Sequence, residues 1–197
     1  MKILSLAFLL CLLGCSTPKN AYESVAPKIA KNFKKVPFPF RPGTSFKVSQ
    51  GAYGEFSHNE PGNELSWDFD VPYGTEVVAV ESGRVIEIWK PQHAAGCSVK
   101  FKEFAVNVKI EALDGTVAQY VHLTPVVHMN QKVEQGQPIG VTSENGFICT
   151  PQLHFGIYSS RDNLYDAFER RTVPLIFEDV PGGIVRQGQV YKVKSLD

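Results

Sequence analysis

The chain alternates apolar and polar residues in short runs, which predicts strands and turns rather than helices. At Pro151–Tyr158, Leu153, Phe155 and Ile157 alternate with Gln152, His154 and Gly156, the period-two pattern of a half-buried strand. Its apolar face would anchor in a core. Its other face holds Gln152 and His154 roughly 7 Å apart, beside a small Gly156 that leaves space. Leu65–Val71 repeats the pattern, with Leu65, Trp67, Phe69 and Val71 on one side and Ser66, Asp68 and Asp70 on the other. Ser45–Gln50 alternates in the same way, and Gly51–His58 follows as a loop. Glu76–Val80 and Gly83–Trp89 flank Glu81-Ser82 as a predicted hairpin. Ala105–Leu113 and Thr116–Leu123 flank Asp114-Gly115, a strong hairpin-turn signal. Lys90–Phe104 reads as a longer loop carrying His93 and Cys97, and Gln131–Gly140 as two short strands or turns. Thr172–Phe177 and Gln189–Lys194 are later strands, with a Pro-Gly-Gly turn between them. Strands at this spacing imply an all-β domain of antiparallel sheets.

Val36–Pro42 cannot be helical, because proline fixes φ and pushes the preceding residue to extended geometry. It reads as an extended N-terminal arm packed on a domain that begins near Gly43. The division is therefore a leader at 1–14, a tether and arm at 15–42, and one domain at 43–197. A chain of 197 residues is long enough for one such domain with a sizeable core.

Composition changes the picture in two places. With 20 basic and 20 acidic side chains the formal charge is balanced, which excludes an electrostatic footprint for nucleic acid. Met1-Lys2 followed by the apolar Ile3–Leu13 has the size of a signal-peptide core and is too short to span a bilayer. It ends in Leu12-Leu13-Gly14-Cys15-Ser16, which resembles a bacterial lipobox. That resemblance implies cleavage before Cys15, acylation of Cys15 and a lipid-anchored protein in the bacterial cell envelope. Ser16 after the cysteine goes, by the same resemblance, with the outer membrane. Export would leave Cys97 and Cys149 as a pair in an oxidising compartment, where a disulfide is the favoured reading over free thiols or zinc ligands.

His58, Asp68 and His154 supply two imidazoles and one carboxylate, the donor types of a catalytic zinc site that keeps a fourth position open. Their spacing alone is a weak signal. The order of several motifs is stronger: Ser57-His58, Asp68-Phe69-Asp70-Val71-Pro72-Tyr73-Gly74-Thr75, Ala79–Val85, Tyr120-Val121-His122-Leu123, Val133–Gly140 and Gln152-Leu153-His154-Phe155. In this order, over residues 50–158, they resemble the M23 family of lysostaphin-like zinc metallopeptidases that cut bacterial peptidoglycan. The resemblance implies an antiparallel fold of the barrel-sandwich-hybrid type and one zinc ion on His58, Asp68 and His154. Asp70 is the rival to Asp68. The resemblance also implies a zinc-activated water as nucleophile, with His122 as the assisting histidine. The implied partners are a peptidoglycan peptide and, through Cys15, a membrane.

Two departures stand out. The gap between His58 and Asp68 is longer than in the best-known members. At the first position of the His-x-His motif stands Gln152, which can donate a hydrogen bond but cannot shuttle a proton. This leaves a second reading open, a weakened member acting as a regulator or binding module on other wall hydrolases. A carrier module of the biotinyl type is disfavoured, since the turn at Glu81-Ser82 has no modifiable lysine. His93 and His128 read as solvated. Trp67, Phe69, Val85 and Phe155 read as core, and Tyr120, on the predicted strand face of His122, as either core or substrate contact.

Overall fold

Alternating segments distant in sequence pair into one large antiparallel sheet, as seen in a computed structural model that describes residues 33–162, 164 and 171–194. The leader at 1–14, Cys15 and most of the tether lie outside the described residues. The strands are β1 Lys34–Val36, β2 Ser45–Gln50, β3 Trp67–Asp70, β4 Glu76–Val78, β5 Gly83–Trp89, β6 Ala95–Gly96, β7 Asn107–Ala112, β8 Val117–Val121, β9 Leu123–Pro125, β10 Lys132–Val133, β11 Pro138–Thr142, β12 Gly146–Phe147, β13 Gln152–Tyr158, β14 Leu175–Phe177 and β15 Val190–Lys192. The large sheet has the order β10-β5-β7-β8-β13-β3-β2-β15, and a second sheet the order β4-β11-β9. Two small parallel pairs, β1 with β14 and β6 with β12, complete an all-β domain. Among the described residues, no helix is long and apolar enough to cross a membrane.

One face of the large sheet is the core. Leu153 pairs with Phe69, and Phe155 pairs with Tyr120, so the apolar phases of neighbouring strands coincide. Trp67, Phe69, Val85 and Phe155 are fully buried. The arm contributes to this core directly. Prolines at 37 and 39 keep it extended, so that Val36, Phe38 and Phe40 alternate inward. Phe38 stacks on Phe177 with ring centroids 4.7 Å apart and meets Phe46 edge-on at 4.7 Å. Burying a side chain of this size stabilises by about 1.5–3 kcal/mol.

The predicted hairpin around Glu81-Ser82 does not form. β4 pairs with β11 in the small sheet, whereas β5 pairs with β7 and β10 in the large one. Ala79–Ser82 is the crossing between them: the Ala79 amide donates to Gln137 O, and the buried Val80 amide to the Tyr120 hydroxyl at 2.9 Å. Gly83 then lets β5 close on its neighbour, since a Cβ there would lie 2.3 Å from the Glu111 carbonyl oxygen. The segment 131–140 divides in the same way, β10 joining the large sheet and β11 the small one. The 90–104 loop contains β6 and a short 3-10 helix at Val99–Phe104.

Candidate functional site

The outer face of the large sheet gathers the polar phase of the same strands. Antiparallel pairing of β13 with β3 sets His154 opposite Asp68. On the far side of β3, strict alternation would put Ser49 opposite Asp68 and turn Gln50 into the core with Phe46 and Val48. A bulge between Val48 and Gln50 shifts the register, so Gln50 stands opposite Asp68 instead. The loop that follows returns His58 over the sheet. Gly54 is required in it, because a Cβ there would lie 2.2 Å from the Gln50 side chain.

Three lone-pair atoms converge. His154 Nδ1 lies 2.8 Å from Asp68 Oδ1, His58 Nε2 lies 3.3 Å from that oxygen, and the two ring nitrogens are 3.2 Å apart. His58 Nδ1 donates to the Gly51 carbonyl at 2.9 Å, which in the neutral ring leaves Nε2 as the lone-pair atom that faces the cluster. With both rings neutral, a carboxylate oxygen and two imidazole nitrogens meet with at most one proton among them, an arrangement that a cation resolves. The three edges also match the roughly 3.4 Å expected between ligands held tetrahedrally at about 2.1 Å. The donor set therefore fits a zinc-sized ion. His58 is fully buried and Asp68 nearly so. Burial alone would raise the Asp68 carboxyl, but the adjoining His58 and His154 rings hold it far below the usual carboxylate range.

Gln50, which alternation places in the core, organises this cluster. Its Nε2 donates to Asp68 Oδ2 and to Ser57 Oγ, both at 2.8 Å. Its Oε1 accepts from the amides of Phe56 and Ser57 at 3.0 and 2.9 Å. The buried side chain thus occupies the second oxygen of Asp68 and fixes the loop that delivers His58. A glutamine at the apolar phase of β2 was the available signal for it.

His122 does not belong to the three-atom cluster; it lines the same groove as His154. It sits between β8 and β9 at φ 68°, a left-handed conformation rare outside glycine. That break separates it from Tyr120, with which alternation would align it. Tyr120 is fully buried and packs on Phe155, so it is a core residue. His122 Nδ1 donates to Asn145 O at 2.7 Å, and the Asn145 side chain accepts from the Val106 amide at 2.7 Å. Burial first, and His154 second, push His122 down to about 4, against the pull of Asn145 and Asp68.

Gln152 is half-buried, two residues before His154 on β13, and its Oε1 lies 3.5 Å from Ser49 Oγ. Asp70 stands outside the cluster, where Thr150 Oγ1 reaches it at 3.4 Å. His93 and His128 are exposed, and His93 donates to Glu144 O at 3.0 Å. Gly156 leaves no room for a ligand: a Cβ there would be 2.7 Å from Ser66 Oγ, so its space is filled by Ser66.

Two cavities flank the cluster, one of about 720 Å³ reaching Asp68 and Gln152, the other of about 510 Å³ reaching His154 and His122. Phe56 and Phe147 line both, with ring centroids 5.2 Å apart. The Cys97–Cys149 disulfide forms and links the ends of the β6–β12 pair that carries Phe147. Lys102, from the 3-10 helix, meets Glu60 of the His58 loop at 2.5 Å.

Residues 63–166 match the family model described as Peptidase family M23. The cell division protein DipM of Caulobacter vibrioides is 32% identical over 85 residues, which are 43% of this chain and 12% of DipM. The chain therefore spans far less than the length of that curated relative. The structure of the M23 metalloprotease pseudoalterin from the deep sea aligns with a TM-score of 0.51 at 14% identity, over 81% of this chain and 95% of that one. This likeness is one of fold. The peptidase lysostaphin from Staphylococcus simulans aligns at 24% identity and a TM-score of 0.49, over 64% of this chain and 47% of that one.

Proposed function

The chain belongs to peptidase family M23, and on that premise we propose that it is a zinc-dependent endopeptidase acting on peptide bonds of bacterial peptidoglycan. The observation that carries the proposal is the convergence of His58 Nε2, Asp68 Oδ1 and His154 Nδ1 at separations of 2.8–3.3 Å. These three residues would hold the ion. When bound, a zinc ion polarises a carbonyl and lowers the pKa of a water to about 7. The chain's own residues supply the rest. Gln50 holds Asp68 from behind so that only Oδ1 faces the cluster. His122, neutral at pH 7 with its proton on Nδ1, keeps Nε2 free to accept a proton in the groove. Gln152 can donate a hydrogen bond from the other side of His154. The readings of residues 1–14 as a leader, of Cys15 as an acylated anchor and of the outer membrane as the address are part of this proposal.

Digestion of purified peptidoglycan tests it. Wild-type protein loaded with zinc should release soluble fragments, and His154→Ala should abolish release while remaining folded. A glutamine at position 152 favours one other reading, a weakened member that regulates wall hydrolases by contact. Zinc bound stoichiometrically with no cleavage by wild type or Gln152→His would support it and end the enzyme reading.

A further inference from the structure

The row of paired residues that holds the site continues across the large sheet past His154. Val121 pairs with His154, Asn107 with Val121, and Trp89 with Asn107. Paired residues share a face and strands lie about 4.8 Å apart, so Trp89 stands roughly 14 Å from His154 on the same face. The 510 Å³ groove follows this row, with His154, Val121, Asn107 and Trp89 all in its lining.

The far end is built like a recognition surface. Trp89 is 53% exposed, and its Nε1 donates to Glu103 O at 3.2 Å, which pins the indole edge and leaves ring surface to solvent. Val99, which lines the same groove, is 67% exposed. Asn107 lines the groove between Trp89 and the site, and its Oδ1 is buried with no hydrogen-bond partner among the described residues. Turning that amide toward a ligand would sacrifice no bond at the oxygen, and a partner there would relieve an unsatisfied acceptor. Charge selects further. The wall carries two carboxylates, Glu60 and Glu103, against the single ammonium of Lys102, which already pairs with Glu60. An anionic ligand is disfavoured; a neutral one with a flat apolar face and an amide fits.

We infer that this end of the groove is a saccharide subsite for a neutral N-acetylated hexosamine ring, its apolar face on Trp89 and its acetamido group on Asn107. The inference rests on the peptidoglycan reading above, and adds to it the place of the sugar. The 14 Å interval corresponds to roughly four residues of extended chain. A short wall peptide lying across His154 would therefore bring its glycan end to Trp89.

The experiment titrates the full-length protein with chitotetraose, read by tryptophan fluorescence and calorimetry. The chain has two tryptophans, and Trp67 is fully buried, so a ligand-induced blue shift reports Trp89. Saturable binding is expected, with a loss of about tenfold or more in Trp89→Ala and a smaller loss in Trp89→Phe. Cellotetraose, which has hydroxyls in place of the acetamido groups, should bind about tenfold more weakly than chitotetraose. That preference should collapse in Asn107→Ala. Near-ultraviolet circular dichroism checks that the variants fold. Absence of chitotetraose binding, binding unchanged in Trp89→Ala, or saturation by tetraglycine instead would overturn the inference. Set beside the wall digestion, the titration separates the two readings. Sugar binding by a wild type that cleaves no wall material would count against the peptidase alone. Wall cleavage by wild type without sugar binding would count against the subsite alone.

Discussion

Gln50→Leu is the most direct perturbation of the site, because it keeps a side chain of similar size and removes four hydrogen bonds at once. The bond to Asp68 Oδ2 involves a buried charge, for which about 1.5–3 kcal/mol is typical. The two amides of Phe56 and Ser57 would add about 1 kcal/mol each, less where water reaches the exposed Phe56. The expected loss of stability is about 3 kcal/mol, read as a lower urea midpoint in metal-free protein. Zinc affinity should fall about 10- to 100-fold, the usual cost of losing a group that orients a ligand. It is measured by competition with a chromophoric chelator. Ser57→Ala is the control: it removes one of the four bonds and should cost about 1 kcal/mol or less. A Gln50→Leu protein that unfolds like wild type and binds zinc within threefold of it would refute the role given to Gln50.

Four further outcomes are expected. In metal-free protein, His122 titrates near 6.5 when unfolded and near 4 when folded, so the unfolded chain binds more protons between those values. Stability should therefore fall as pH drops from 6.5 to 4, by about 3 kcal/mol, and His122→Phe should flatten that window; parallel curves would refute this. Asp68, held low, acts in the next window, adding stability above about pH 4 that is lost on further acidification. Reducing the Cys97–Cys149 bond, which spans 52 residues, should cost about 4 kcal/mol in denaturant titrations. Gly83→Ala should destabilise by several kcal/mol in thermal unfolding, because the added methyl would meet backbone rather than a movable side chain.

The sequence made β13 and β3 legible because both bury one face, and a period of two then fixes which residues face outward. His154 and Asp68 were readable on those grounds, and their pairing follows once the two strands are neighbours. Partner choice was not readable. Glu76–Trp89 presents two apolar runs around a polar pair, and that local pattern is the same for a hairpin and for a crossing between sheets. What decided it was distant: the Tyr120 hydroxyl and the Gln137 carbonyl meet the amides at 79 and 80, and Lys34 meets Glu81 at 2.8 Å.

The residues that alternation misplaced are those that act on the site. Gln50 has core parity and His122 has the parity of Tyr120, yet both side chains end on the outer groove. In each case the backbone breaks its own rule immediately beforehand or at the residue itself, by a one-residue bulge after Val48 and by φ 68° at His122. An unbroken strand can offer a cluster only the side chains of one phase, about 7 Å apart along the chain. Three lone pairs within 3.3 Å and a buried amide behind them require donors from four segments, brought in at angles that a regular ladder does not supply. Interrupted alternation is therefore where a search for site residues in such a sheet should look first.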